Sequence, residues 1–209
     1  MPLMPAFRRR KKSAAIVGRL LAGYGELELL LAICVGTADA SRITPKPGHQ
    51  IGQHRNLHEH LAIKDMFKER GETNRFKKAK KRMNRDFTNA GMKGDYINAM
   101  GAMHQCLKIR NLFSHCHWAQ SKKRGLFFIN LEDAAIAPGD LKLSEFRHAD
   151  PKTLAKIEDY FWYTFEWLDY LAHALAIKTT VMRGPAPIRP KRKHALPKHD
   201  VLFPLKSFQ

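Results

Sequence analysis

The sequence has few cysteines, and the three that it has are scattered. Cys34, Cys106 and Cys116 form no Cys-x-x-Cys pair, so a disulfide framework is not expected and a reducing compartment is favoured. The chain also has no glycine-rich phosphate loop. From the cysteine pattern we predict a protein of the cytoplasm.

Long hydrophobic runs are missing too, although the N-terminus imitates a secretion signal. Basic residues at 8–12 precede an apolar stretch, but Arg19, Glu26 and Glu28 interrupt it. Its longest uninterrupted run, 29–35, has seven residues, which is short for a signal core and far too short for a membrane span. We predict an amphipathic helix here and no membrane span.

Acidic residues are scarce relative to basic ones. Lys and Arg number 37 against 19 Asp and Glu, a formal net charge of +18. Such a surplus opposes compaction unless something anionic shares the surface. Nucleic acid is the commonest partner of that kind, and its phosphate contacts depend on salt. The alternatives are a generic basic protein kept soluble by its charge and binding to an anionic membrane surface.

Apolar residues recur at spacings of three and four in five segments of the chain. This periodicity predicts helices over about 14–35, 52–70, 73–90, 95–113 and 151–178. The residues expected to face the core are, in helix order, Leu20, Tyr24, Leu27, Leu31 and Cys34; Leu57, Leu61 and Phe67; Phe76, Ala79, Met83 and Phe87; Tyr96, Met100, Met103 and Leu107; and Leu154, Ile157, Phe161, Leu168, Leu171 and Leu175. The expected fold is all-α, a bundle of four to five helices in a single domain over 1–182.

Two further segments depart from the helical pattern. The apolar run 126–129 is short and bounded by Gly125 and Asn130, and with 117–120 it predicts a small β-hairpin after the fourth helix. From 183 onward five prolines are interspersed with basic residues. Because proline interrupts helices, 183–209 is predicted to be an extended or disordered basic arm.

Positive charge is concentrated in and just before the third predicted helix. Ten basic residues lie from Lys64 to Arg85, offset within that span by Asp65, Glu69 and Glu72. With the apolar stripe turned inward, the basic side chains fan over the exposed face, as a phosphate-binding surface requires. The predicted nucleic-acid contacts are Arg75, Lys77, Lys78, Lys80, Lys81, Arg82 and Arg85 and, in the arm, Arg189, Lys191, Arg192 and Lys193. An ordinary solvated helix face is the alternative interpretation.

The segment from Arg110 to His115 carries the residues best suited to chemistry. Continuing the stripe of Met103 and Leu107 by one step reaches Arg110, so a guanidinium is expected on the buried face, where an unpaired charge is costly. An imidazole such as that of His115 moves protons near neutral pH. A guanidinium stabilises charge on a pentavalent phosphate, and Asn111 could hold an oxygen by hydrogen bond.

Arg110, Asn111 and His115 resemble the Arg-Asn-x-x-x-His motif of HEPN domains, the higher eukaryote and prokaryote nucleotide-binding family. The resemblance covers about 14–178 and takes in a polar residue on the first long helix, matched by Glu28. It implies a helical bundle that commonly dimerises, with Arg110, Asn111 and His115 in the active site and Glu28 holding Arg110. It also implies RNA cleavage through attack of the 2′-hydroxyl, without metal or cofactor, by a toxin or defence protein.

A second copy of the motif runs from Arg55 to His60 and also contains the asparagine, Asn56. The copy at 110 is preferred because a long amphipathic helix precedes it and a candidate hairpin follows. The prediction is therefore an RNA-binding homodimer that acts as a metal-independent endoribonuclease, with no membrane partner. The alternatives are a non-catalytic nucleic-acid-binding module and a regulatory protein whose basic arm docks an acidic partner, such as an antitoxin.

Overall fold

The computed structural model describes residues 5–8, 10–43, 51–121, 125–136, 146–191, 196–197 and 202–203. Its elements are α1 (Pro5–Arg8), α2 (Lys11–Ala40), α3 (Ile51–Lys68), α4 (Glu72–Asn89), α5 (Lys93–Ser114), β1 (Cys116–Ser121), β2 (Gly125–Asn130), α6 (Leu131–Ile136), β3 (Arg147–Ala149) and α7 (Pro151–Lys178). The protein is therefore mostly helical, as the sequence predicts, with a small antiparallel sheet.

The chain divides into two compact units, each discontinuous in sequence. The first contains Met1–Tyr24, Lys108–Phe161 and His194–Gln209, and the second contains Gly25–Leu107 and Trp162–Lys193. Helices α2, α5 and α7 contribute residues to both. The single domain expected over 1–182 stays a prediction.

Four of the five predicted apolar stripes are buried, and so are confirmed. They belong to α2, α4, α5 and α7, and every residue expected to face the core on these helices lies in it. Spacings of three and four place such residues on one side of a helix, and removal of that side from water stabilises the fold. Local periodicity is therefore enough to orient these four helices.

The stripe predicted for α3 is wrong. Leu57, Leu61 and Phe67 are 55%, 50% and 46% exposed, whereas Ala62 and Met66 are buried. Among the side chains of α3 that the structure describes, these two are the buried apolar ones, so the side of α3 that is buried is narrow. The larger hydrophobic residues of the helix therefore face solvent. The orientation follows from how closely α3 packs against its neighbour.

Gly36 of α2 permits that close packing. A Cβ added at Gly36 would lie 2.4 Å from the Cα of Glu59 on α3, so any other residue there would force the helices apart. Beside this contact Arg55 and Glu59 form a largely buried ion pair, and the Thr37 hydroxyl donates to Glu59 at 3.4 Å. Arg55 and Glu59 are thus beside the contact with α2, where the sequence pattern placed the leucines of α3.

The first unit contains the sheet. Strands β1 and β2 form an antiparallel hairpin in which Trp118 opposes Phe128, as predicted for this region, and β3 pairs with the other edge of β2. Phe203, from the C-terminal segment, is fully buried, with its ring centroid 5.6 Å from that of Phe113 and 5.1 Å from that of Phe128. Part of the predicted arm therefore belongs to the core of this unit.

Helix α7 begins at a side-chain cap. Asp150 accepts hydrogen bonds from the backbone N–H groups of Lys152 and Thr153, at 2.8 and 3.1 Å. Burial alone would raise the pKa of Asp150, but hydrogen bonds from Thr153 and Lys152 outweigh it and lower the pKa below its usual value. Pro151 at the first helical position completes a favourable helix start.

By length and composition, α2 is apolar enough to cross a membrane, with a mean hydropathy of 1.5 over its most apolar window. Of that window, 56% is buried inside the protein. The core helix of a water-soluble protein has the same character, so this helix is weak evidence for a membrane span.

Candidate functional site

Helix α4 has three sides of different character. The buried side carries Phe76, Ala79, Met83 and Phe87. Next to it lies a row of half-buried cations, Arg75, Lys78 and Arg82, which we call the paired row. The remaining side presents four exposed cations, Lys77, Lys80, Lys81 and Arg85, which we call the exposed row. The basic residues predicted to act together are thus divided between two surroundings.

Arg75 opens the paired row. Its Nε and Nη2 atoms donate to the two carboxylate oxygens of Glu28, at 2.8 and 3.0 Å. The guanidinium also lies over the ring of Phe67, with 5.4 Å between Cζ and the ring centroid. A bidentate, largely buried pair of this kind is a strong and geometrically specific contact. Arg75 is therefore engaged within the chain.

The other two members of the paired row meet at Asp65. Lys78 Nζ lies 3.1 Å from Asp65 Oδ2, and Arg82 bonds to both Asp65 and Asp39. The hydrogen bond from Lys78, followed by the charges of Lys78 and Arg82, holds the pKa of Asp65 below its usual value. Arg42 extends this network, with its Nη1 atom 3.1 Å from Asp39 Oδ1.

The exposed row faces solvent along the length of α4. Lys77, Lys80 and Lys81 are exposed, and among the residues that the structure describes no ion pair joins them to a carboxylate. Arg85 is the fourth member, with 72% of its side chain exposed and Nε 4.0 Å from Asp86. These four cations form a part of the predicted surface that an anionic ligand can reach.

Residues 183–191 of the C-terminal arm have no helix or strand, as predicted, but they are anchored. Arg189 forms an ion pair with Asp95 and lies over Trp167, 5.8 Å from the ring centroid. Tyr170 donates to the same carboxylate at 3.0 Å. Arg189 is thus engaged within the chain, whereas Lys191 is exposed. The predicted contacts Arg192 and Lys193 lie outside the described residues.

The predicted catalytic segment lies at the end of α5. Arg110 and Asn111 are half-buried, and Arg110 Nη1 donates to Asn111 Oδ1 at 3.2 Å. His115 is the first residue after the helix, with 49% of its side chain exposed. The guanidinium is less buried than the sequence pattern indicates, and the imidazole is accessible to solvent.

Glu132 on α6 is a neighbour of His115 that the motif does not contain. The Glu132 Oε1 atom lies 3.4 Å from His115 Nδ1, and the backbone N–H of Leu131 donates to the His115 carbonyl at 3.0 Å. The hairpin brings the two together, because its outermost pair is Cys116 with Asn130. A carboxylate at Nδ1 orients the ring so that Nε2 is the nitrogen that can exchange a proton.

The partner expected for Arg110 has a different contact. Glu28 was assigned to hold Arg110, but both of its carboxylate oxygens accept hydrogen bonds from Arg75. Glu28 is buried, and the role assigned to it beside Arg110 stays a prediction. Arg75 is one of several basic residues on α4 that look equivalent in the sequence. The sequence alone therefore could not identify Arg75 as the partner of Glu28.

The second copy of the motif is engaged in the structure. Arg55 donates to Glu59 at 2.5 Å and to the sulfur of Met182, and only 12% of its side chain is exposed. A guanidinium held in this way has little surface left for a phosphate. Arg55 is therefore engaged within the chain.

Comparison with known proteins finds no matching family model, no similar curated protein and no similar solved structure. Among the described residues, no three His, Cys, Asp or Glu side chains lie close enough together to hold a metal ion.

Proposed function

We propose that this protein binds nucleic acid, with RNA as the ligand, through the exposed row of α4. One observation supports the proposal above the others. Arg75, Lys78 and Arg82 are paired with carboxylates of α2 and α3, while Lys77, Lys80, Lys81 and Arg85 line one exposed side of α4. Exposed cations spaced along a helix bind successive phosphates and release counterions as they do so.

The test removes the exposed row without touching the paired row. We expect the triple variant K77Q/K80Q/K81Q to weaken binding of single-stranded RNA and to lower the slope of log K against log salt by about 2, for three lost phosphate contacts. The matched control is K108Q/K152Q/K156Q, which removes three exposed lysines of the first unit. Equal weakening by both variants would show diffuse attraction and contradict an interface on α4.

RNA cleavage at the Arg110–His115 segment is the second candidate function, and the contact between His115 and Glu132 favours it. With Nδ1 facing the carboxylate, Nε2 takes the proton of a 2′-hydroxyl while the 2′-oxygen bonds to phosphorus. The bond to the 5′-oxygen then breaks, and that oxygen takes up a proton from solvent. Arg110 stabilises the added negative charge, and Asn111 orients the phosphate.

Cleavage is tested by incubating the protein with total RNA in EDTA. We expect 2′,3′-cyclic phosphate and 5′-hydroxyl ends, and a loss of at least about 100-fold in rate for His115→Ala, the lower bound for removal of a general acid–base. His117→Ala, at an exposed histidine two residues away, is the control. RNA binding without cleavage by the wild type would instead support the non-catalytic binding module.

The HEPN-type helical bundle, homodimerisation and a toxin or defence role belong to this second candidate. The order of the long helices and the hairpin that directly follows the motif helix α5 support the bundle, and homodimerisation and the toxin or defence role are what the resemblance implies. Light scattering of the purified protein measures its mass, and a monomer would contradict the homodimer. Association with an acidic partner and insensitivity of RNA binding to salt would favour the regulatory alternative.

A further inference from the structure

An open cleft of about 660 Å³ lies in the second unit, where α2, α4 and α7 end. Three cations, Arg42, Arg85 and Lys178, line it together with the polar side chains of Ser41, Asn89 and Thr179. Its volume is that of a small-ligand site. Arg85 belongs both to this cleft and to the exposed row of α4.

The charges around the cleft do not cancel. Asp86, the carboxylate in its wall, accepts a hydrogen bond from Arg42 Nε at 3.0 Å and so is occupied by that side chain. Arg85 and Lys178 are both exposed. Asp86 is the one carboxylate among the lining residues, and it also lies 4.0 Å from Nε of Arg85. Three cations against this carboxylate leave a positive cleft, and Lys178 and the largely exposed Arg85 can be reached by an anionic group.

The C-terminal ends of α4 and α7 at the cleft attract these cations only weakly. A helix C-terminus attracts positive charge through its free carbonyl groups, but here backbone groups cap several of them. Met92 N–H donates to the Phe87 carbonyl at 2.8 Å after α4, and Met182 N–H donates to the Ala176 carbonyl at 2.9 Å after α7. The caps weaken the pull of the helix ends on Arg85 and Lys178.

The hydroxyl groups of the cleft are oriented as acceptors. Ser41 donates its proton to the Ala38 carbonyl and Thr179 donates to the Leu175 carbonyl, each at 2.7 Å. Their oxygens therefore offer lone pairs to a ligand rather than protons. A phosphodiester has no proton to give at neutral pH, whereas the 2′-hydroxyl of ribose is a donor and distinguishes RNA from DNA.

We propose that the cleft binds one ribonucleotide unit of an RNA strand lying along the exposed row. Arg85 and Lys178 bind its phosphate, and the oxygen of Ser41 or of Thr179 accepts a hydrogen bond from its 2′-hydroxyl. This inference rests on the proposed RNA binding, because Arg85 connects the two surfaces. It places one nucleotide of the bound strand in the cleft, and it explains how the protein could bind RNA in preference to DNA.

The phosphate contact is tested with K178Q and the control K108Q, an exposed lysine of the other unit. Binding of RNA and DNA oligonucleotides of one sequence is followed by fluorescence anisotropy. We expect K178Q to lower the salt slope by about 0.7 for single strands, with no change for K108Q. If K178Q behaves like K108Q while K77Q/K80Q/K81Q still weakens binding, the cleft proposal fails and RNA binding by α4 stands.

Oligonucleotides with a 5′-phosphate or a 5′-hydroxyl identify the source of the phosphate. If K178Q weakens binding of both oligonucleotides, Lys178 contacts an internal phosphodiester. If it weakens binding of the 5′-phosphorylated oligonucleotide alone, Lys178 contacts a terminal phosphate.

The sugar contact is tested with S41A/T179V. We expect this variant to bind RNA about 2- to 10-fold more weakly, the range for one hydrogen bond, and to bind DNA as the wild type does. Equal losses for RNA and DNA would overturn the sugar contact. Thermal unfolding of each variant checks that the fold is intact.

Discussion

Arg82 and Arg85 are one turn apart on α4, and their surroundings differ. Arg82 bonds to the carboxylates of Asp39 and Asp65, whereas Arg85 is largely exposed and borders the cleft. Residue type therefore does not decide which cation can bind a ligand. The neighbouring helices decide it, by placing carboxylates along one side of α4.

Replacement of Asp65 by asparagine tests the paired row at this scale. The pKa of Asp65 is lowered in the folded protein, so its contribution to stability is present above the unfolded value of about 3.9 and is lost as pH falls through the lower folded value. We expect Asp65→Asn to reduce the free energy of unfolding at pH 7. Urea unfolding should show this difference shrinking below about pH 4.

The control for that measurement is Glu26→Gln at an exposed carboxylate, for which we expect little change at either pH. A difference between Asp65→Asn and the wild type that is independent of pH would mean that the ionised carboxylate does not contribute.

The three cysteines give a second prediction for single residues. Burial raises the pKa of the Cys34 and Cys106 thiols to about 12, while Cys116 is half-buried. The thiolate is the reactive form of cysteine. We therefore expect a thiol reagent at pH 8 to modify Cys116 in the native protein, and Cys34 and Cys106 only on unfolding. Mass spectrometry of the modified protein identifies the site, and rapid labelling of Cys34 would contradict the buried position.

At the scale of elements, α3 shows where periodicity fails to predict a buried face. The sequence predicted α2, α4, α5 and α7 with the correct inward residues, since their apolar stripes are continuous. On α3 the leucines also recur at helical spacing, but the close approach at Gly36 turns a different side inward. A contact between helices thus overrides the pattern within one helix.

Matched truncations on α3 test this orientation. Met66 is buried and Leu61 is half exposed, so we expect Met66→Ala to cost about 2–5 kcal/mol of unfolding free energy. Leu61→Ala is expected to change it by less than about 0.5 kcal/mol. Chemical denaturation measures both. A large loss for Leu61→Ala would show that this leucine is covered by another molecule in solution.

The candidate active site also depends on elements. The hairpin after α5 was predicted from a short apolar run, and the structure contains it. Glu132 was not predicted as a partner of His115, although the pairing of the hairpin places the residues after β2 beside the end of α5. Register, rather than any local motif, identifies this carboxylate.

For the whole molecule the balance of charge sets the response to salt. The net charge of +18 disfavours compaction. Salt screens the repulsion between exposed charges more effectively than it screens largely buried ion pairs such as Arg75 with Glu28. We therefore expect the melting temperature to rise by about 2–4 °C between 50 and 300 mM NaCl, the shift for roughly 1 kcal/mol. A fall in melting temperature would mean that screening of the ion pairs dominates.

The sequence by itself determined the five long helices, which of their apolar residues are buried in four of them, and that the chain is strongly basic. These properties follow from local spacing and composition. The short helices α1 and α6 were not predicted. Tertiary structure alone decided that Arg75 pairs with Glu28, that Arg189 is anchored by Asp95, and which cations stay exposed. The physical reason is that an ion pair depends on where distant helices meet, and 47 residues separate Arg75 from Glu28 along the chain.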